Sequence, residues 1–394
     1  MVKYLAAFFL ILIGTQFLEA QSSSRETSRI RNNHYAVRFA YQNGYVFPTN
    51  QFLAGNNVES TPINDFETFS LQFGNQTSGK YDWETLYNYP YWGGGIQLMN
   101  FHDPEELGTP VSLFGFFNAP FLRGRKLSLD YNIELGLTFN WKPFNPLNNA
   151  NNISIGAGRT VHIALGSSLN YRLGSNLDAA LGLQLSHFSN GALKKPNYGI
   201  NTVSPVISLK YRLDSDSLRF DPAALSPFIP RWEWNLFVFG GAKNVIFKDL
   251  NIDIIEKYEG VQFPVVGVFA GLNLQISHKT KFGLGFTLDY DGSHNAQVAI
   301  EEGDLEIADS PFLDKLQLSL SAGYELVIDR ISIVLQPSFY LYRKQIRDRT
   351  PNFYQRIGVK YYFKDRYYAG IHLRAFNLHI SDFIEWHVGY RFFR

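Results

Sequence analysis

Long stretches of the chain alternate apolar residues with polar or small residues, one position in two. In residues 127–141 the odd-numbered positions are Leu, Tyr, Ile, Phe or Trp, and the even-numbered positions are Ser, Asp, Asn, Glu, Gly or Thr. The same alternation returns in residues 160–173, 177–189, 202–213, 316–325, 331–341 and 384–392. Successive side chains of a strand point to opposite faces, so the pattern predicts strands with one apolar and one small or polar face.

The predicted strands are longer than those of soluble sheets. Soluble sandwich strands usually run about five or six residues around a dry interior, whereas a tilted strand of about ten residues spans a bilayer. Closure into a barrel leaves no unpaired backbone edge in hydrocarbon. We therefore predict an all-β fold, a transmembrane antiparallel β-barrel of about 14 to 16 strands.

Loop lengths support a membrane barrel, because tight turns mostly alternate with longer loops, as periplasmic turns and outward loops do. The alternation breaks at residues 75–84 and at residues 213–230, and the second of these stretches is the only linker candidate. The favoured interpretation is one wide barrel formed by residues 21–394. The alternative is an eight-stranded barrel followed by an additional β-region.

The N-terminus has the pattern of an export signal. Lys3 precedes an apolar core at residues 5–17, and Leu18-Glu19-Ala20 stands before a polar run. We predict a signal peptide at residues 1–20, cleaved after Ala20. A membrane anchor helix is the alternative, but the apolar run is short for a span.

Composition agrees with an exported membrane protein. Aromatic residues make up 16% of the chain, which suits a barrel with interfacial girdles. The formal net charge of +1 gives no reason to expect a nucleic-acid partner, and the absence of cysteine excludes disulfides and thiolate metal sites.

One predicted hairpin, residues 177–213, carries candidate chemistry. His187 and Ser189 continue the apolar face formed by Leu181 and its neighbours, so a possible base and a possible nucleophile point the same way. Asn201, on the next strand, shares that face. Polar groups that face hydrocarbon are costly and tend to be functional. The alternative is a capping histidine beside an ordinary Ser-Asn-Gly turn.

The residues around this hairpin resemble a known family. His187-Phe188-Ser189-Asn190 and Pro196-Asn197-Tyr198-Gly199-Ile200-Asn201 are similar to the His-x-Ser-Asn and Pro-Asn-x-Gly-x-Glu signature of the outer-membrane lipid A 3-O-deacylases, the acyloxyacyl hydrolase type. The resemblance covers about 15 residues closely and extends across residues 34–213. It implies a Ser-His-Glu triad on the outside of a barrel, which hydrolyses an ester-linked acyl chain of lipid A.

The resemblance assigns roles to six residues. It makes Ser189 the nucleophile, His187 the base and Asn201 the third member, and it places Asn190, Asn197 and Gly199 in the oxyanion region and loop. Asn201 departs from the family, which has glutamate at this position. A carboxylate orients the imidazole and stabilises the imidazolium, whereas an amide only orients it.

We therefore predict an outer-membrane esterase that acts on lipid A of lipopolysaccharide, or on a related lipid, near the outer leaflet, with no cofactor and no metal. The alternative is a non-enzymatic channel or ligand-binding barrel that retains a degenerate deacylase hairpin. Residues 230–394 are expected to supply extra and closing strands. The sequence leaves homo-oligomerisation open.

Inward-facing charged residues form a further group. They could line a pore or bind a ligand, but a structural network that fills the lumen is the favoured interpretation. The group comprises Asp130, Glu134, His162, Arg172, Asp178, Lys210 and Arg212.

Overall fold

The computed structural model describes residues 34–393, apart from residues 215–219, 221–224, 226, 246–251, 304, 306–309, 347–350 and 378–379. The predicted signal peptide lies outside the described residues. Within the described part of the chain, no helix has both the length and the apolar character needed to cross a membrane.

Eight antiparallel strands form a first closed barrel. Each strand pairs with the next along the chain, and β8 pairs with β1 to close the wall. The strands are β1 (His34–Val46), β2 (Asp65–Gln76), β3 (Tyr91–Asn100), β4 (Gly108–Arg123), β5 (Leu127–Trp141), β6 (Thr160–Arg172), β7 (Leu177–Ser189) and β8 (Ile200–Arg212). A short helix, α1 (Asp82–Leu86), lies between β2 and β3.

Eight more strands form a second closed barrel, in which β16 pairs with β9. They are β9 (Arg231–Lys243), β10 (Phe263–Gln275), β11 (Thr280–Asp291), β12 (Leu316–Ile328), β13 (Ile331–Arg343), β14 (Phe353–Phe363), β15 (Tyr367–Phe376) and β16 (Ile380–Phe393). Helices α2 (Ile252–Tyr258) and α3 (His294–Glu302) follow β9 and β11 and share a small apolar cluster. A 3-10 helix, Phe312–Lys315, precedes β12.

The predicted fold class is confirmed: the described residues form 16 antiparallel strands of membrane-barrel type. The favoured single wide barrel is wrong, because β8 hydrogen-bonds to β1 from Ala36 to Val46 and leaves β9 to pair with β10 and β16. Both arrangements satisfy every backbone group, so strand patterning alone does not distinguish them. In the sequence, residues 213–230 separate the strands of the first barrel from those of the second.

The barrel walls follow the predicted alternation. On β7, Leu181, Leu183 and Leu185 are each more than half exposed on the outer face. On the inner face, the carboxylate of Asp178 pairs with Lys210 at 3.2 Å and with Arg212 at 2.8 Å. The apolar outer wall is typical of membrane barrels.

Polar networks fill both lumens. In the first barrel, Glu134 accepts hydrogen bonds from Gln72, Asn132 and Gln184. In the second barrel, buried ion pairs cross the lumen, among them Arg356–Glu385 at 2.7 Å, Arg374–Asp289 at 3.1 Å, Lys281–Glu233 at 2.7 Å and Lys360–Glu325 at 2.5 Å. These contacts agree with the structural interpretation of the inward charges.

The two barrels touch at both ends. At the short-turn end, the Tyr87 hydroxyl donates to the backbone oxygen of Val327 at 2.5 Å. At the long-loop end, the amide nitrogen of the Asn244 side chain donates to the backbone oxygen of Leu193 at 2.8 Å. The long loops of both barrels therefore lie at the same end of the molecule.

Candidate esterase site

The candidate base and its orienting group are directly opposed on neighbouring strands. His187 of β7 and Asn201 of β8 are register partners. The imidazole Nδ1 lies 2.7 Å from the side-chain oxygen of Asn201. An amide oxygen can only accept a hydrogen bond, so Nδ1 of His187 carries the proton. The other ring nitrogen, Nε2, is then unprotonated and available as a base.

Ser189 lies two residues further along β7, on the same outer face as His187. Its Oγ accepts hydrogen bonds from the Asn197 side-chain nitrogen at 3.0 Å and from the Gly191 backbone nitrogen at 3.1 Å. Two donors on the oxygen leave its own proton available to a base. Among the described hydrogen bonds, none joins Ser189 to His187 in this conformation.

The two side chains nevertheless border the same small space beside Gly199. A Cβ at position 199 would lie 2.9 Å from Cε1 of His187 and 3.4 Å from Cβ of Ser189. Gly199 also has a φ of +74°, which disfavours any other residue. Glycine is therefore required here both for the backbone turn and for the position of the imidazole.

Asn190 and Asn197 play different parts in the loop of residues 190–199. The backbone nitrogen of Asn190 donates to Oδ1 of Asn197 at 3.2 Å, which turns the Nδ2 of Asn197 towards Ser189. The side-chain nitrogen of Asn190 instead donates to the backbone oxygen of Lys194 at 2.7 Å. In this conformation Asn190 orients the loop, and Asn197 is the amide that contacts the serine.

Phe188 anchors the strand between the two candidate groups. It is fully buried in an apolar cluster at the long-loop end of the first barrel, and its ring stacks on His162 at 4.9 Å. Because neighbouring residues of a strand point to opposite faces, fixing Phe188 inside fixes His187 and Ser189 outside.

A second loop, residues 142–159, supports the first. The backbone nitrogen of Gly199 donates to the oxygen of Ser154 at 2.9 Å, and that of Tyr198 donates to the oxygen of Ile153 at 3.1 Å. A Cβ at Gly156 would lie 2.3 Å from the backbone oxygen of Pro196 and would clash with it. The long-range pairing of these loops is not visible in the sequence.

Sequence reasoning also missed Gly191, although glycine directly after the His-x-Ser-Asn segment was a usable signal. Gly191 has a φ of +64° and the following Ala192 also has a φ of +64°. The backbone turns sharply there, and the turn aims the Gly191 nitrogen at Ser189.

Lys195 is the only basic group of the loop that reaches the second barrel among the described contacts. Its ammonium donates to the backbone oxygen of Asn244 at 3.3 Å. Burial is the main cause that lowers the pKa of Lys195 to about 8. The negative charge of Asp382 opposes this shift, and the positive charge of Lys243 adds to it. Within the described residues, no cluster of three His, Asp or Glu side chains is placed to hold a metal ion.

Two family models match the chain. The model described as lipid A 3-O-deacylase (PagL) matches residues 67–210, and the model described as acyloxyacyl hydrolase, C-terminal domain, matches residues 232–394. Together they take in most of β2 to β8 of the first barrel, nearly all of the second barrel, and most of the 394 residues. The chain belongs to the lipid A 3-O-deacylase family. The family is one of hydrolases, and with the apolar outer walls it indicates an outer-membrane location.

Solved structures similar to this deacylase-family chain include an outer-membrane enzyme and a bacterial surface protein. The outer membrane enzyme PagL is 18% identical, with a TM-score of 0.29, and the alignment covers 43% of this chain and 97% of that one. Neisserial surface protein A is 7% identical, with a TM-score of 0.31, covering 45% of this chain and 97% of that one. Among curated proteins, none matches the chain.

Proposed function

We propose that the first barrel is an outer-membrane esterase that removes an ester-linked acyl chain from lipid A or a related lipid. The observation that carries the proposal is the arrangement around Ser189 Oγ. The oxygen receives two hydrogen bonds, at 3.0 and 3.1 Å, and the neighbouring His187 is held through Nδ1 by Asn201.

The reaction begins when a small rotation of the Ser189 side chain brings its hydroxyl to Nε2 of His187. The proton passes to Nε2 as Oγ attacks the ester carbonyl carbon. His187 then returns the proton to the leaving sugar oxygen, which departs as a hydroxyl and leaves an acyl-serine. Water attacks this ester, gives its proton to His187 and releases the fatty acid, and the proton returns to Ser189.

The negative charge on the carbonyl oxygen needs donors placed before the reaction begins. The Gly191 backbone nitrogen and the Asn197 side-chain nitrogen already converge on Ser189 Oγ, next to the point of attack. Asn201 holds the tautomer of His187, as the third member of a triad does.

The outer wall of the barrel supports a lipid substrate. Leu181, Leu183 and Leu185 form an exposed apolar track on β7 that leads to His187. Lipid tails are as apolar as leucine side chains, so an acyl chain in the bilayer can lie along this track without leaving hydrocarbon. Ser189 itself is only 5% exposed, so its Oγ is largely covered in this conformation.

Ser189→Ala tests the proposal. Ser186→Ala is the matched control, because Ser186 lies on the same strand but faces the lumen. Lipid A from cells that express wild type or either variant is compared by mass spectrometry at equal levels of inserted protein. We expect wild type and Ser186→Ala to remove one acyl chain and Ser189→Ala to remove none. Deacylation by Ser189→Ala would refute the esterase, and unaltered lipid A in all three samples would favour the non-enzymatic barrel.

A further inference from the structure

The second barrel packs directly against the loop that carries the site. A Cβ at Gly191 would lie 2.7 Å from Cδ1 of Ile384 and 3.6 Å from Cδ1 of Leu373. Leu373 of β15 and Ile384 of β16 are register partners that point outward from the second barrel. They are half-buried, whereas Val388, further along the same face of β16, is 59% exposed.

The residue they contact is the one that donates to Ser189. Gly191 has a left-handed backbone conformation, and so has Ala192 after it, where the conformation is strained because the residue is not glycine. Such a backbone persists only where its surroundings hold it. On the side of the second barrel, Ile384 is the residue that packs against Gly191.

Polar contacts fix the same loop to the second barrel on either side of its apex. Asn244, directly after β9, donates from its side chain to the backbone oxygen of Leu193 at 2.8 Å. Its own backbone oxygen accepts from Lys195 at 3.3 Å. Asn244 lies close to Ile384 in the wall, because Ala242 and Ile384 are register partners. The apolar and polar contacts therefore form one continuous seam.

We propose that the second barrel completes the esterase site, with Ile384 as the positioning residue that holds the Gly191 backbone nitrogen against Ser189. The inference rests on the proposed function of Ser189. The second barrel then acts through the geometry of the loop and touches no reacting atom. Loss of the Ile384 contact lets residues 191 and 192 relax, which moves a donor away from the developing charge.

The test compares Ile384→Ala with Val388→Ala, which shortens a side chain on the same strand and face but away from the loop. Deacylation is measured on purified full-length protein in detergent micelles that contain lipid A, with kcat and KM determined separately. We expect Ile384→Ala to lower kcat by roughly tenfold to a hundredfold, the scale expected for a small misplacement of a catalytic group. KM changes little, because the acyl track on β7 is intact.

Two further measurements separate positioning from general damage. Heat-modifiable migration on gels reports whether both variants are folded, and the rate of Ser189 labelling by a fluorophosphonate reports the loop geometry without lipid A. Labelling falls in Ile384→Ala and not in Val388→Ala, and Ile384→Val restores most of the kcat. If Ile384→Ala does not fold, Ile384→Val is compared with wild type, and a smaller loss of kcat and labelling is expected.

The outcomes distinguish this inference from the proposed function. If Ser189→Ala is inactive while the folded Ile384 variant matches Val388→Ala in kcat and labelling, the seam has no part in the reaction and the inference is overturned. If Ser189→Ala remains active, Ser189 is not the nucleophile, and the proposed function is refuted rather than the role of Ile384 alone.

Discussion

At the scale of single residues, the unusual feature is an amide where the deacylase signature has a carboxylate. Asn201 still reaches Nδ1 of His187, at 2.7 Å, so the orienting part of the role is kept. The amide lacks the charge that stabilises the imidazolium formed during attack. We therefore expect a lower kcat than the same site would have with a carboxylate at position 201.

Asn201→Asp tests this interpretation, because aspartate has the same length as asparagine and supplies the missing charge. We expect a higher kcat for lipid A deacylation than in wild type. Asn201→Leu removes the acceptor and is expected to lower kcat by roughly a hundredfold. Steady-state kinetics on lipid A micelles measures both changes. Equal rates in all three proteins would show that His187 does not depend on residue 201.

The outward direction of the candidate residues was predictable from the sequence, whereas their support was not. Strict alternation on β7 places Ser189 and His187 on the face of Leu185. The contact of Gly191 with Ile384 depends on how two separate sheets pack, and a local pattern carries no information about that. The direction of the Asn190 side chain depends likewise on the folded loop.

At the scale of elements, the inner side of β7 explains how the strand fixes the positions of the two proposed catalytic residues. Phe188 lies between His187 and Ser189 in sequence and is fully buried, with Trp141 at 5.8 Å and His162 at 4.9 Å between ring centres. Its packing restricts rotation and sliding of the strand end. Rigid support of this kind is what a preorganised site needs.

Phe188→Ala is expected to destabilise the first barrel by about 3–5 kcal/mol, the usual cost of removing a buried phenylalanine. Phe73→Ala is the control, since Phe73 is 51% exposed on the outer wall of β2. Denaturant unfolding in detergent, followed by tryptophan fluorescence, measures both. We also expect a lower kcat for Phe188→Ala at denaturant-free conditions. A cost no greater than that of Phe73→Ala would contradict the anchoring role.

At the scale of the whole molecule, the number of strands was easier to predict than their closure. Sixteen alternating segments fit one wide barrel or two narrow ones, and the choice depends on whether β8 pairs with β9 or returns to β1. Contacts just after the C-terminal end of β8 favour its pairing with β1. The backbone nitrogen of Leu213 donates to the backbone oxygen of Tyr35 at 2.9 Å, and the His34 side chain contacts Asp214. The break at residues 213–230 was the available signal in the sequence.

Lys195 provides a measure of contact between the barrels. Its pKa of about 8 reflects burial, opposed by Asp382 of the second barrel. The neutral amine is the reactive form, so acetylation of Lys195 is expected to reach half its maximal rate near pH 8, well below the value of about 10.4 for a free lysine. Peptide mass spectrometry after brief treatment with acetic anhydride across a pH series measures this midpoint.

Asp382→Asn removes a charge that favours the protonated amine, so the midpoint is expected to move to lower pH. Glu302→Gln, an exposed change at the end of α3, is the control and should leave the midpoint in place. If neither variant moves the midpoint, the loop and the second barrel are not in electrostatic contact in solution.

Each barrel has eight strands, and because this number is even it determines how the second barrel is oriented relative to the first. An even count returns the chain to the side of the membrane from which it entered, so β8 ends and β9 begins on the same side. The first strand of the second barrel, β9, consequently runs from the short-turn end to the long-loop end, as β1 does. A first barrel of seven or nine strands would have inverted the second, and Asn244 would then lie a full membrane thickness away from Leu193.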